Sequence, residues 1–310
     1  MRLAPAALCL VLLSSACQLQ RMAANQPSPS PSPSPSVVAS PTMAPSPEPS
    51  ASPDPTHVFV IVLENRSYSQ AIDTPYLADL ASRYGLATNY HGISHPSLPN
   101  YLAMTSGSTW GIADDGWHPL PAGGLGAQLD AAGITWRAYM EGMTRGCYTN
   151  ANRYALKHNP FAYYGAECPP QVVPFSQFAS DMAGAAPQFV WITPDLCNDG
   201  HDCSNTVVSD WLSQTVPTIL NSDAWQKNGV LFITYDEGED SANSVLTLVV
   251  RKNQVNQSSS AAYDHYSLLA SIEDLLGLPR LGEAANASPM TDLLQVRPPK
   301  TPPRLFPSSG

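Results

Sequence analysis

The chain has 310 residues and a formal net charge of −10, so it is long enough for one large domain and too acidic for a typical nucleic-acid binder, which needs a basic face. We therefore expect no nucleic-acid partner. If the substrate is itself an anion, positive charge must be added, and a metal ion held by carboxylates would supply it.

The first 17 residues predict an export signal. Their apolar run, residues 8–13, is too short to cross a bilayer. The following Ser-Ser-Ala-Cys resembles a bacterial lipoprotein cleavage box, with the usual leucine displaced to Leu13. We expect either a lipid anchor on Cys17, giving an outward-facing membrane lipoprotein, or plain secretion.

Proline-rich segments flank one predicted domain. Residues 18–55 predict a Pro/Ser-rich linker, because eleven of the chain's 31 prolines fall between positions 27 and 55. Residues 293–310 predict a Pro-rich tail. The remaining residues, 56–292, have the size of a single domain, which we expect to be a monomer.

Strands and helices alternate within that domain. Apolar runs predict strands at 57–63, 87–90, 135–140, 188–193, 229–235 and 245–250. Amphipathic segments predict helices at 75–84, from 97 onward, and at 125–132, 175–182, 207–220 and 265–276. The alternation predicts an α/β fold with a mainly parallel central sheet and helices on both faces.

Carboxylates follow three of the predicted strands. Glu64 comes directly after the first, Asp195 with Asp199 after the strand at 188–193, and Asp236 with Glu237 after the strand at 229–235. The carboxyl ends of parallel strands meet at one edge of a sheet, so these acids would share a cleft. Ionised carboxylates repel one another unless a cation neutralises them. The pattern predicts a divalent metal ion, whose identity and number it leaves open.

Ser97 is predicted to begin a helix. It stands where an N-cap is expected, with Pro99 in the tolerant first turn. Helix N-termini favour negative charge, so this serine could be an ordinary cap or could face a phosphate.

Four cysteines remain in the domain: Cys147, Cys168, Cys197 and Cys203. In an exported domain an even number implies disulfides. Nearness in sequence favours Cys147–Cys168 and Cys197–Cys203, and a zinc site formed with His201 is the alternative.

Six short motifs occur in a fixed order: LENRSY, SHPSLPNYLAMTSG, KHNPF, LCNDGHDC, TYDEGED and DHYSLLASIEDLLGL. This set, spread over residues 57–280, resembles the bacterial phosphoesterase family of secreted acid phosphatases and phosphatidylinositol 3-phosphate phosphatases, with phospholipase C enzymes as larger relatives. The resemblance implies an alkaline-phosphatase-like fold and a phosphoserine mechanism acting on a phosphate-ester substrate.

The resemblance also implies roles for individual residues. Ser97 would be the nucleophile, while Glu64 with Asn65 and the pair Asp236-Glu237 resemble the family's metal motifs. The DEGED run differs from the Asp-His of two-zinc relatives, which leaves the metal open. The predicted site comprises catalytic Ser97, His201 and His265; substrate-binding Asn65, His95, Asn100, Asp115 and His158; and metal-binding Glu64, Asn65, Asp195, Asp236 and Glu237.

The functional hypothesis is an exported, metal-dependent phosphomonoesterase of the acid phosphatase type. Three alternatives stay open: a phospholipase C-type phosphodiesterase, a metal-free serine esterase using Ser94 or Ser97, and a non-catalytic protein that uses the cleft for binding.

Overall fold

The computed structural model describes residues 54–295. Within that range an eight-stranded sheet has the strand order β5-β4-β6-β1-β7-β8-β2-β9, and a two-stranded sheet pairs β10 with β3. The strands are β1 (His57–Leu63), β2 (Gly85–Ala87), β3 (Tyr90–His91), β4 (Trp136–Met140), β5 (Val172–Pro174), β6 (Phe189–Thr193), β7 (Gly229–Tyr235), β8 (Thr247–Arg251), β9 (Gln257–Ser259) and β10 (Tyr263–Asp264).

The centre of the large sheet is parallel. β1 lies between β6 and β7, with Phe59 opposite Val190 on one side and Leu231 on the other. Every residue from 58 to 63 is buried, as expected for a parallel strand covered on both faces. Near one edge, β8 runs antiparallel to both β7 and β2.

Two groups of helices pack on this sheet, α2 with α5, α6 and α7, and α3 with α4 and α8. The helices are α1 (Tyr68–Ala71), α2 (Pro75–Arg83), α3 (Ser97–Ser106), α4 (Gly124–Ala131), α5 (Phe178–Ala183), α6 (Asn205–Leu220), α7 (Asp223–Asn228), α8 (His265–Leu276) and α9 (Thr291–Leu294). Single 3-10 turns occupy Leu156–His158, Pro160–Ala162, Phe175–Gln177 and Gly282–Ala285. The predicted α/β class with a mainly parallel sheet is confirmed.

Three local predictions need correction. The strand expected at 87–90 is two short strands, β2 and β3, which belong to different sheets. The strand expected at 245–250 begins at Thr247. Pro96, not Ser97, is the N-cap of α3, so the Ser97 side chain is not used as a helix cap.

Both expected disulfides, Cys147–Cys168 and Cys197–Cys203, are present. In the described part of the chain no helix has the length and apolarity needed to cross a membrane. The expected signal segment, the Cys17 lipidation site, nearly all of the linker and most of the tail lie outside the described residues.

Candidate active site

Three loops meet at the carboxyl ends of β6, β1 and β7, which are neighbours in the sheet. Backbone hydrogen bonds join these loops: Glu64 N–H donates to the carbonyl of Asp199 and Asp236 N–H to that of Leu63, each at 2.9 Å. The Asn65 N–H donates to Asp236 Oδ1 at 3.2 Å. The acids at these strand ends are therefore held in one place by the backbone itself.

Ser97 is the first residue of α3, and Asn100 fixes the loop that leads to it. Asn100 Oδ1 accepts hydrogen bonds from the N–H groups of Ile93 and Ser94, at 2.9 and 3.0 Å. Its Nδ2 donates to the carbonyls of Ser94 and Pro96. Asn100 was expected to bind substrate. In the structure its fully buried amide is hydrogen-bonded to backbone groups of the loop instead, and so supports the start of α3 at Ser97.

The Ser97 hydroxyl faces carboxylates. Its Oγ lies 3.1 Å from Glu64 Oε2 and 3.4 Å from Glu237 Oε1. Ser97, Glu64 and Asp236 are fully buried and Glu237 nearly so. A hydroxyl in this position has two proton acceptors beside it.

A second group of side chains lies on the other carboxylate oxygen of Glu64. Tyr101 donates its hydroxyl to Glu64 Oε1, and His158 Nε2 is 3.2 Å from the same oxygen. His158 Nδ1 is 3.6 Å from Asp199 Oδ2, and the Tyr101 ring stacks on the His158 ring at 5.2 Å. Ligand atoms of Glu64, His158 and Asp199 all lie within 4.8 Å of one another.

The electrostatics of this cluster favour a cation. Burial raises the pKa of Glu64 well above its usual value, and the neighbouring charges of Asp236 and Asp199 raise it further. Burial, reinforced by Glu237, raises the pKa of Asp236 to about 8. Burial lowers the pKa of His158 well below its usual value, which keeps the imidazole neutral and able to act as a ligand.

Unpaired atoms point to the same conclusion. Asp199 Oδ2 and Asp236 Oδ2 are buried and make no hydrogen bond to any described residue. Buried polar atoms of native proteins are normally paired, and oxygen and imidazole donors suit divalent metals. The residues present therefore fit a bound divalent cation: Glu64, His158 and Asp199 offer ligand atoms close to one another, and the charge of Asp236 acts on Glu64.

Two of the expected site residues have their side chains committed elsewhere. Asp195 Oδ1 accepts hydrogen bonds from the N–H groups of Cys197 and Asn198, so it shapes the disulfide loop. The buried His265 ring contacts the Tyr90 hydroxyl at 3.0 Å through Nδ1 and the carbonyl of Asp236 through Nε2. Burial lowers its pKa to about 4, so a neutral His265 braces the Asp236 backbone.

The remaining expected residues lie at the rim. His95 Nδ1 pairs with Glu237, and His201 donates its backbone N–H to Asp199 Oδ1 at 2.7 Å. Their side chains are 55% and 29% exposed, and His201 Nδ1 lies 2.7 Å from Asp202 Oδ1. Asn65 is in the left-handed region, with φ 53°, and its side-chain amide makes no hydrogen bond within the described range.

Asp115 contacts the backbone directly after Ser97. Its Oδ1 accepts a hydrogen bond from the Leu98 N–H at 3.0 Å, and its Oδ2 accepts one from Lys157 Nζ at 2.9 Å. This carboxylate therefore ties the start of α3 to the segment that carries His158.

Two residues of this cluster, Tyr101 and Lys157, were not predicted from the sequence. The spacing of four residues between Ser97 and Tyr101 could have indicated that both lie on one helix face. Lys157 precedes His158 within a motif already singled out. Asp195 and Asp199 were both expected in the cleft, with Asp195 as the metal ligand. The structure instead places the Asp199 carboxylate beside Glu64 and His158.

The model of the Phosphoesterase family matches residues 68–249. The chain therefore belongs to the phosphoesterase family, as the ordered motifs implied.

Its curated relatives include phosphatases. The chain is 32% identical over 253 residues to the phosphatidylinositol-3-phosphatase of Mycobacterium tuberculosis, covering 76% of this chain and 82% of that protein. It is also 32% identical over 243 residues to the phosphate-repressible acid phosphatase of Penicillium chrysogenum and 31% identical over 247 residues to an acid phosphatase of Aspergillus fumigatus. Each match covers 72% of this chain but only 59% and 55% of the respective fungal protein.

Solved structures support the fold. An alkaline phosphatase superfamily protein from Vibrio parahaemolyticus aligns with a TM-score of 0.55 at 12% identity, covering 74% of this chain and 68% of that one. Murine ectonucleotide pyrophosphatase/phosphodiesterase 5 aligns with a TM-score of 0.53 at 9% identity, covering 73% and 96%. The architecture is therefore alkaline-phosphatase-like.

Proposed function

We propose that this chain is a phosphomonoesterase that transfers the phosphoryl group of its substrate to Ser97 and then to water. The observation that carries the proposal is the Ser97 hydroxyl, buried at a helix start and 3.1 Å from Glu64. Family membership and the phosphatase names of the relatives support it.

The chemistry proceeds in two displacements. Ser97 Oγ gives its proton to Glu64 or Glu237 and forms a bond to phosphorus, while the bond from phosphorus to the ester oxygen breaks. The departing oxygen takes a proton from His95 or His201, the partly exposed histidines of the rim. Water then gives a proton to that histidine and its oxygen forms a bond to phosphorus, while the bond from phosphorus to Ser97 Oγ breaks. Ser97 Oγ recovers its proton from the glutamate, and inorganic phosphate leaves.

A divalent cation held by Glu64, Asp236 and Glu237, together with His158 and Asp199, would neutralise the buried carboxylates and stabilise negative charge on the phosphoryl oxygens and on Ser97 Oγ. The chain's own residues position the reacting groups around it. Asn100 fixes the Ser97 loop, His265 supports the Asp236 backbone, and the Asn65 amide is free to donate to a phosphoryl oxygen.

The surroundings of Ser97 favour this mechanism over a metal-free serine esterase. A triad needs a histidine beside the nucleophile, and the hydrogen-bond partners of Ser97 Oγ in the described range are carboxylates. The phosphodiesterase alternative is decided by the substrate test below.

A panel of para-nitrophenyl esters tests the function on the full-length protein. We expect hydrolysis of the phosphomonoester, its loss on treatment with a chelator, and its recovery on adding a divalent metal ion. Faster hydrolysis of the bis-ester would indicate a phosphodiesterase. Hydrolysis of the acetate ester that survives chelation would contradict the proposal.

We further propose that the protein is exported and either carries a lipid on Cys17 or is secreted. The two disulfides of the domain support an oxidising compartment. Metabolic labelling with palmitate should mark the wild-type protein and not Cys17→Ala. Unlabelled wild-type protein in the culture medium would indicate plain secretion, and an unprocessed protein in the cytoplasm would contradict export.

A further inference from the structure

An aromatic pocket of about 400 Å³ lies beside the site. Its lining includes Asp115, Trp117, Tyr154, Lys157 and Tyr163, and its volume falls in the range of small-molecule sites, roughly 300–1,000 Å³. None of its three aromatic residues belongs to the proposed reaction machinery. We call it the aromatic pocket.

The aromatic pocket shares a wall with the Ser97 site. Asp115, in its lining, accepts a hydrogen bond from the N–H of Leu98, the residue directly after Ser97. Lys157, also in its lining, is followed by His158, which reaches Glu64 at 3.2 Å. A substrate with its phosphoryl group at Ser97 could therefore extend its remaining portion into this pocket.

The rings of the pocket are held in place. Trp117 packs against Tyr163 with ring centroids 4.9 Å apart and meets Tyr148 edge-on at 5.0 Å. The Tyr148 hydroxyl donates to the carbonyl of Ala162 at 3.1 Å. The Tyr154 hydroxyl donates to the carbonyl of Cys147 at 2.7 Å, and Cys147 is bonded to Cys168.

Trp117 nevertheless remains 43% exposed. A large, oriented and incompletely covered aromatic side chain beside a reactive centre is the arrangement that stacks on flat ligands at low entropic cost. Asp115 and Lys157, the charged residues of the lining, pair with each other at 2.9 Å. The rest of the lining therefore offers rings and uncharged groups.

We propose that the aromatic pocket binds the leaving group of the phosphate monoester and selects planar aromatic groups over small aliphatic ones. This inference rests on the proposed phosphomonoesterase function. A planar ring would stack on Trp117 while its ester oxygen remains at the Asp115–Lys157 end, and an ethyl group would leave the rings uncovered.

The test compares naphthyl, ethyl and inositol phosphate on the full-length wild type and three variants. For Trp117→Ala we expect kcat/KM to fall about tenfold with naphthyl phosphate, as for the loss of one stacking contact, and by less than about twofold with ethyl phosphate. Trp117→Phe should keep most of the activity with naphthyl phosphate. The matched control is Trp110→Ala, because Trp110 is 44% exposed and lies outside the pocket lining. This variant should have the same kcat/KM as wild type with each substrate.

Equal losses with both substrates, or no loss with naphthyl phosphate, would overturn the inference. So would a loss that is larger for inositol phosphate than for naphthyl phosphate, since a polyol would then be the occupant. Binding without turnover separates the two proposals: wild-type protein should bind naphthylphosphonate about tenfold more tightly than ethylphosphonate, even if it hydrolyses neither phosphate. Equal binding of the two phosphonates would reject the pocket whatever the fate of the phosphomonoesterase proposal.

Discussion

Glu64 Oε2 lies 3.1 Å from the hydroxyl of Ser97, although the two residues are 33 positions apart in the chain. β1 brings the carboxylate to the edge of the sheet, and the start of α3 brings the hydroxyl to the same point. This contact joins the reactive group to the carboxylates that would hold a cation.

Ser97→Ala should lower kcat with an aryl phosphate by at least about a thousandfold, because it removes the attacking oxygen. The fold should remain intact, since alanine fits the space and suits a helix. Steady-state kinetics and circular dichroism check this. Ser94→Ala is the control, because its hydroxyl only contacts the neighbouring His95 carbonyl, and near-normal activity of Ser97→Ala would refute the role of Ser97.

A divalent cation should raise the melting temperature of the chelator-treated protein. Ligand present at a hundred times its Kd stabilises a protein by about 2.7 kcal/mol, and here it would also relieve repulsion among buried carboxylates. Asp199→Asn removes one charge and one unpaired acceptor. It should raise the melting temperature of the metal-free protein and shrink the shift on adding metal. The same metal-dependent shift in Asp199→Asn and wild type would argue against Asp199 as a ligand.

Asn100→Ala should destabilise the protein by about 2–4 kcal/mol, because several partly buried backbone groups of the Ser97 loop lose their hydrogen bond to the Asn100 amide. Activity should fall further than stability alone explains, since Ser97 loses its support. Urea unfolding and kinetics under fully folded conditions measure the two effects. Asn286→Ala is the control, because Asn286 is exposed and makes one side-chain contact at 3.3 Å.

Glu273 should make stability depend on pH. This buried residue of α8 accepts a hydrogen bond from the Leu281 N–H at 2.9 Å, and burial raises its pKa to about 7 from 4.5. The folded protein therefore holds this proton more tightly than the unfolded chain does. The stabilising effect of the proton is fully present below about pH 4.5 and is lost as the pH rises through about 7, at a cost of up to about 3 kcal/mol.

Glu273→Gln removes that dependence. Urea unfolding at pH 5 and pH 8 should show that the variant gains stability relative to wild type at the higher pH. The exposed Glu283 offers a control, Glu283→Gln, which should behave like wild type at both values. If the difference in unfolding free energy between Glu273→Gln and wild type were the same at pH 5 and pH 8, the expectation would be contradicted.

The sequence predicted the central sheet because its strands are continuous apolar runs bounded by turns. It could not predict that β8 is antiparallel, since apolar runs carry no information about strand direction. The sequence predicted one strand where the structure has β2 and β3, because a short run of β-prone residues does not indicate whether its residues pair into one sheet or two.

The same limit applies to the site. The sequence predicted that Glu64, Asp236 and Glu237 lie near Ser97. Each follows a strand, and the carboxyl ends of parallel strands meet at one edge of the sheet. Loop residues were harder: Asp195 and Asp199 belong to one acidic loop, and the disulfide turn decides which carboxylate points inward. Asn100 has the polarity of a ligand-binding residue, and only its four backbone contacts reveal that it supports the loop.

Acid quenching during turnover of an aryl phosphate, followed by intact-mass and peptide mass analysis, tests most directly whether the hydroxyl beside Glu64 accepts the phosphoryl group. We expect a mass gain of one phosphoryl group on the peptide that contains Ser97, and no such gain in Ser97→Ala. A phosphorylated residue elsewhere, or rapid product release with no adduct under conditions that preserve phosphoserine, would contradict it.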